Sequence, residues 1–313
     1  MDSDRYSIHF SPLQGYTDRI YRNAFAHYFG GVEVYYTPFI RVEKGALRKR
    51  DLRDREPETN TVADLIPQIL PGSADEFRLL TDAVGEKGYR QIDINLGCPF
   101  PMIAGKHKGA GMLLYPAQVA EVLAPIAEYP EIQFSLKMRL GWENASECMV
   151  LVELLNTLRL SRIALHARTG KQQYKGHPDL EAFQGFYELC QHPLYYNGGI
   201  ESLSDIRQIL IRFPLLKGVF IGRGLLSSPL LAKEFKGNET FLPEQRMSIY
   251  FAFHEELFSA YSQVLQGETQ LLVKMKTLWE YFLPETDRKL LKRIKKSTRL
   301  QQYTESVKAI FTS

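Results

Sequence analysis

Eight short apolar runs, each followed by a loop or a helical pattern, constrain this chain more than any other feature. Runs with a strand signature fall at Ile8–Leu13, Val34–Phe39, Leu65–Leu70, Gln91–Leu96, Gln133–Met138, Arg162–His166, Leu194–Asn197 and Gly218–Ile221. Helical periodicity predicts helices over Asp18–Tyr28, Ala74–Glu86, Pro116–Ala127, Ser146–Leu158, Leu180–Cys190, Ser202–Arg212 and Ser228–Lys233. The segment Arg41–Arg55 is crowded with charge, has no apolar face and reads as a loop with a short helix. Eight such units fit an α/β protein of the (β/α)8 TIM-barrel class. A doubly wound open sheet also fits the alternation, but no Gly-x-Gly-x-x-Gly follows the first strand.

After Gly237-Asn238 the pattern turns purely helical, with helices expected at Glu244–Leu265, Gln270–Phe282 and Thr286–Tyr303, then a short last one. The expected organisation is a barrel domain over 1–237 and a small all-helical C-terminal domain over 243–313. The tail holds eleven basic and eight acidic residues, which accounts for the net charge of +3. Seven basic residues, Arg288, Lys289, Lys292, Arg293, Lys295, Lys296 and Arg299, run without an acid between them. Leu290, Leu291 and Ile294 can bury one face of that helix. A charge run is by default a solvated surface.

Apolar content of 44% and charged content of 24% are those of an ordinary soluble protein. No run approaches the roughly 18 apolar residues that cross a bilayer, and the N-terminus has no secretory pattern. Cys98, Cys148 and Cys190 are far apart and odd in number, which suits a reducing, cytoplasmic setting and makes no zinc spacing. No membrane and no metal are expected, and a monomer is expected.

In a barrel the chemistry sits at the C-terminal ends of the strands. Those ends carry Pro12-Leu13-Gln14, Gln68, Asn95 with Cys98, Lys137 with Arg139, His166 with Arg168, Asn197-Gly198-Gly199 and Gly222-Arg223-Gly224. A lone Cys or Lys there is more often structural; five polar ends converging on one mouth are harder to explain that way. The glycine pairs end strands seven and eight, where barrels bind phosphate through backbone N–H groups, and Arg223 can add charge-assisted bonds. Flavin mononucleotide (FMN) would fit, with Gln68 on its pyrimidine edge and Lys137 near N1. A Schiff base on Lys137 is the alternative.

Taken together, Ser11–Gly15, Asp93–Pro99, Leu136–Gly141, Leu165–Gly170 with Tyr174 and Gly176, Asn197–Ile200 and Ile221–Gly224 resemble the tRNA-dihydrouridine synthases. The stretch Lys274–Tyr281 resembles that family's helical RNA-binding domain more loosely. The resemblance implies reduction of uridine in tRNA to 5,6-dihydrouridine, with FMN as cofactor and NADPH as reductant. It implies that Pro12, Leu13 and Gln14 line the flavin ring, that Gln68, Lys137 and His166 bind FMN, and that Asn197, Gly198, Gly199, Gly222 and Arg223 hold its phosphate. Cys98 would be the proton donor. Arg41, Asn95, Arg139, Lys274 and Lys276 would meet tRNA. Ser11 and Leu13 depart from the usual Ala and Met, at positions that act through backbone. The rivals are an FMN-barrel dehydrogenase of a free pyrimidine such as dihydroorotate, and a non-catalytic RNA-binding barrel. The basic tail argues against the first, and intact Cys98, Lys137 and His166 against the second.

Overall fold

Strands buried on both faces read as continuous apolar runs, and that is what a parallel sheet wrapped in helices requires. The computed structural model describes residues 3–312. Met1, Asp2 and Ser313, at the ends of the two expected domains, lie outside the described residues. The strands are β1 (Ser7–Phe10), β2 (Val34–Tyr36), β3 (Ile40–Glu43), β4 (Ala46–Leu47), β5 (Leu65–Ile66), β6 (Gln68–Leu70), β7 (Gln91–Leu96), β8 (Gln133–Gly141), β9 (Leu160–Thr169), β10 (Leu194–Asn197) and β11 (Gly218–Ile221). From β6 the sheet runs in parallel through β7, β8, β9, β10 and β11 to β1, β2 and β5. Because β5 and β6 are the two halves of one run, and β3 pairs β6, the sheet closes on itself. The fold is a (β/α)8 barrel followed by C-terminal helices.

The expected strand Leu65–Leu70 is broken in two, and the expected strand Val34–Phe39 stops at Tyr36, with a further strand, β3, beginning beyond it. Pro38 separates β2 from β3 and Pro67 separates β5 from β6; neither proline can donate to the ladder. Strands β8 and β9 run longer than expected and stay paired beyond the rim, from Arg139 with His166 to Gly141 with Thr169. The segment after Arg41 is not a plain loop: β3 turns back on β4 as a hairpin, through Lys44 and Gly45 at positive φ, before a helix at Lys49–Leu52. Its charges concealed that turn.

The interior is filled by side chains. Deep in the barrel His9 is 1% exposed and lies against the rings of Tyr195 and Phe220, at 4.6 and 4.7 Å. Its Nδ1 meets Tyr36 Oη at 2.9 Å and its Nε2 meets Ser7 Oγ at 3.1 Å.

The tail consists of helices Pro243–Val264, Gly267–Leu278, Arg288–Lys296 and Leu300–Phe311. The expected long basic helix therefore ends at Lys296, and the last helix is a full element of its own. Ser297 and Thr298 compete with the backbone there: Ser297 Oγ donates to Ile294 O at 2.6 Å, and Thr298 N donates to Gln302 Oε1 at 3.0 Å. The last helix anchors through buried Tyr303, whose Oη accepts from Trp279 Nε1 at 2.9 Å and meets His254 Nε2 at 2.7 Å. The predicted helix Ser228–Lys233 instead spans Leu231–Gly237.

One apolar core runs through barrel and tail. Phe253 packs on Tyr21 and Phe29, with ring centres 5.5 and 4.8 Å apart. Asp18 joins the two parts. It caps the helix Arg19–Tyr28 by accepting from Tyr21 N, accepts from Tyr261 Oη at 2.7 Å, and pairs with Lys274 Nζ at 2.7 Å.

Burial holds the His9 imidazole well below its usual pKa, with Arg162 adding to the effect. The unfolded chain therefore binds a proton near pH ~6.5 that the native state refuses, so stability falls as pH drops below that value. In urea titrations at pH 7.5 and 5.5, His9→Gln should narrow the gap between the two midpoints relative to wild type. An unchanged gap would show that His9 titrates alike folded and unfolded.

Candidate active site at the C-terminal mouth of the barrel

A cavity of about 630 Å³ opens at the C-terminal ends of the strands. Its lining includes Pro12, Leu13, Gln14, Gln68, Asn95, Cys98, Lys137, Arg139, His166, Asn197, Gly198, Gly199, Gly222 and Arg223. The residues expected to converge do so, and Arg41 joins them from the hairpin.

A hydrogen-bonded chain crosses the mouth. Asp93, 1% exposed inside the barrel, accepts from Ser135 Oγ and from Gln68 Nε2, both at 2.6 Å. Burial pushes its carboxyl pKa up, while these two bonds and Lys137 oppose the shift. Gln68 Oε1 accepts from Asn95 Nδ2 at 2.7 Å. Asn95 Oδ1 in turn accepts from Gly97 N at 3.0 Å and Cys98 N at 2.9 Å. The Cys98 turn is thus fixed by an Asx-type bond from its own strand.

Gly109 backs this turn at a φ of +56°, and a Cβ there would lie 2.8 Å from Cys98 O. The thiol is half-buried, and burial raises its pKa above the ordinary value; a backbone bond from Phe100 and the cations Arg139, Lys137 and Arg41 oppose this. Cys98 is therefore a thiol, not a thiolate, at neutral pH. Two of the basic residues of the following loop are engaged locally. Lys108 Nζ grips the Glu76 carboxylate at 2.6 and 2.7 Å, and His107 stacks on Tyr115 at 4.3 Å.

Lys137 is different. It points into the cavity and has no hydrogen bond or ion pair to another described residue. Burial, then Arg139, depress its pKa to about 8, against the pull of Asp93 and Cys98. A half-buried ammonium without a partner in a cavity calls for an acceptor from outside the chain. His166 is held neutral by burial and by the surrounding cations Arg139, Lys137, Arg168 and Arg223. Arg168 Nη1 lies 3.2 Å from His166 Nε2 and can only donate, so the ring carries its proton on Nδ1.

At the β10 end Asn197 is tied down, its Nδ2 donating to Phe220 O at 2.7 Å. Gly198 and Gly199 follow at φ of +136° and +62°, conformations that side chains with a Cβ rarely adopt. They leave a bare backbone beside Arg223. Arg223 lies 4.5 Å from the Tyr174 ring centre, and Arg139 approaches the same ring at 5.5 Å.

Residues 9–312 match the profile of the dihydrouridine synthase family (Dus). The chain belongs to that family. It is 26% identical over 228 residues to tRNA-dihydrouridine synthase B of Pasteurella multocida, covering 72% of this chain and 67% of that one. It is 28% identical over 228 residues to the protein of the same name in Pseudomonas aeruginosa, covering 72% and 67%. To the probable tRNA-dihydrouridine synthase 2 of Bacillus subtilis it is 24% identical over 254 residues, covering 79% and 77%. Among solved structures it resembles morphinone reductase, with a TM-score of 0.55 at 9% identity over 78% of this chain and 88% of that one. A variant of NCR from Zymomonas mobilis gives 0.53 at 12%, over 77% and 90%. At such identities the likeness is one of fold.

Within this family member, several assigned side chains already have work inside the protein. Arg139 donates to Gly97 O at 2.9 Å, Thr169 O at 2.9 Å and Gln173 O at 2.7 Å, leaving Nη2 over for the cavity. Lys274 and Lys276 do not reach the cavity. Lys274 Nζ donates to Gly15 O at 2.9 Å besides pairing with Asp18, and Lys276 Nζ donates to Ser297 O at 2.5 Å, at the end of the basic helix.

The sequence reading missed Tyr16 and Tyr281, which line the mouth with ring centres 5.2 Å apart. Tyr16 Oη donates to Glu280, 264 positions away, and no local signal reveals such a pairing. Tyr174 and Arg168 were visible within a motif but not assigned roles. Among the described residues no cluster of metal-ligating side chains occurs, and no helix is long and apolar enough to cross a membrane.

Cations near a thiol favour the thiolate, so removing one must raise the thiol pKa. Lys137→Met should shift the pH midpoint of Cys98 alkylation upward, as read by mass spectrometry after timed iodoacetamide pulses. A midpoint that stays put or falls would separate the two groups electrostatically.

Proposed function

We propose that this protein reduces uridine in tRNA to 5,6-dihydrouridine, with FMN as its cofactor and NADPH as the reductant. The observation that carries this reading is the unpartnered Lys137 ammonium in a cavity that a bare glycine backbone and Cys98 also line. The residues present fit FMN. Gly198, Gly199, Gly222 and Arg223 form a cradle for its phosphate. Lys137, Gln68 through its free amide proton, and neutral His166 through Nδ1–H offer donors to its ring. Pro12, Leu13 and Gln14 supply a wall. Bound there, FMN would supply the hydride chemistry that saturates the uracil ring at C6.

Cys98 supplies the proton. Its thiol transfers it to C5, and the thiolate left behind is stabilised by Lys137, Arg139 and Arg41. The shift that burial imposes keeps the proton in place until the substrate needs it. The Nη2 of Arg139, the second amide proton of Asn95 and the guanidinium of Arg41 face the position where the uracil must lie, and each can donate to its carbonyl oxygens. The three donors orient the ring and do not move protons themselves. The uridine must leave its stack to reach this depth. The helix Arg288–Lys296 offers the phosphate-binding surface, since its six basic residues and Arg299 are exposed and none is ion-paired among the described residues. Those residues, rather than Lys274 and Lys276, are the tail's contacts with the RNA backbone.

Cys98→Ala protein should be yellow and accept hydride from NADPH at the wild-type rate. Its reoxidation by unmodified tRNA should slow by about 10² to 10⁴-fold, the range of a positioned acid. Anaerobic rapid mixing of each half-reaction reads this. Colourless protein that gains nothing from added FMN, or unimpaired reoxidation by tRNA, would each defeat part of the proposal.

Replacing Lys292, Arg293, Lys295 and Lys296 together by Ser should weaken tRNA binding. The slope of log affinity against log salt should flatten by about 0.7 to 0.9 for each lost phosphate contact. Equal slopes in variant and wild type would return this helix to the status of a solvated face.

A further inference from the structure

The lip of the cavity carries apolar surface that the chemistry above leaves unused. Phe100 and Met102 follow Cys98 directly and are 55% and 67% exposed. They are held in place by what lies beneath them. Pro101 opens a single helical turn, Pro101–Ala104, whose Ile103 and Ala104 are buried, and Ile103 packs against Phe39 and Leu70. Both exposed side chains line the cavity mouth. Other exposed apolar residues, such as Val150 and Leu215, do not border this cavity.

The flank of this lip is cationic. Arg41–Arg55 holds seven basic residues against Glu43, Asp51 and Asp54, and its Arg41 and Arg48 line the same mouth. Glu43 and Asp51 pair with both of these arginines at 3.3 to 3.9 Å, which fixes the guanidiniums while leaving the segment positive. A rigid aromatic and a thioether beside a cationic flank suit a nucleic-acid strand: the apolar side chains meet base faces and Arg48 meets a phosphate, while Arg41 is turned to the uracil.

We propose that Phe100 and Met102 occupy the gap left in the RNA when the target uridine enters the cavity, packing against the bases that flanked it. The inference rests on the tRNA-reducing reading above. It assigns this lip to recognition of the bases next to the uridine, and the tail to recognition of the backbone. A uridine drawn out of a stack leaves two base faces exposed to water, and covering them offsets part of the cost of extrusion. The lip lies two to four residues from the proton donor in sequence, so a strand held there is in register with Cys98.

The test uses the full-length, FMN-loaded protein and unmodified tRNA. In a Phe100→Ser/Met102→Ser variant the KM for tRNA should rise about tenfold, as expected for a lost base-stacking surface. The salt slope of tRNA binding should match wild type, because no cation has been removed. NADPH-driven flavin reduction should be unchanged. Phe100→Trp, which keeps an aromatic face, should hold KM at or below the wild-type value. Wild-type KM in the double variant would overturn the inference, as would a flattened salt slope or a raised KM in Phe100→Trp. If the double variant loses flavin, Phe100→Trp alone decides by the same criterion. Wild-type protein that fails to reduce tRNA at all would instead overturn the functional reading beneath it, and a lip that takes a protein partner would leave tRNA kinetics unaltered and so fail as well.

Discussion

Closure of the sheet is the constraint on which the rest depends. Once β1 pairs β11 and the β2–β3 run pairs the β5–β6 run, no strand edge is left over in the barrel. Backbone polar groups along the strands are consumed by the ladder, and helices cover the outside. What remains free for chemistry is the rim, where strands end and polar side chains can turn inward. Two polar clusters among the described residues, one deep in the barrel and one at the rim, show the contrast. The deep one, around His9, is saturated by Tyr36 and Ser7 and serves packing. The one at the mouth lies beside Lys137, whose ammonium is left without a partner. The difference between a structural polar core and a reactive one is this incompleteness.

Much of this was legible because the barrel repeats its logic. Each buried strand announces itself as an apolar run, and the residue that follows it lies at the mouth by construction. Cys98, Lys137, His166 and the glycines after β10 and β11 could therefore be placed before any coordinates. The breaks were harder. Pro38 and Pro67 sit inside runs that otherwise look continuous, and the hairpin after Arg41 hides among charges that suggest a loop. The end of the basic helix at Ser297 depends on side-chain bonds to Ile294 and Gln302 that hydrophobic periodicity does not register.

Long-range pairings were beyond reach for a different reason. Lys274 lies among residues that look like RNA contacts, yet its ammonium is spent on Asp18 and Gly15. A lysine's charge is evident in sequence, but its direction is set by the partner that topology brings to it. The same holds for Tyr16 with Glu280 and Tyr281. These tail contacts all land on the short segment Gly15–Asp18, directly after the three residues that form one wall of the mouth.

Asp18 gives that arrangement a mechanical consequence. One carboxylate ends a barrel helix, receives the Tyr261 hydroxyl and balances the Lys274 charge. Pulling the tail away would strip two of those three partners from a group at the head of the first barrel helix, and would bare Tyr21 and Phe29 where Phe253 now covers them. Barrel and tail should therefore melt together, and a protease cutting between Asn238 and Leu242 should nick the chain without freeing either piece.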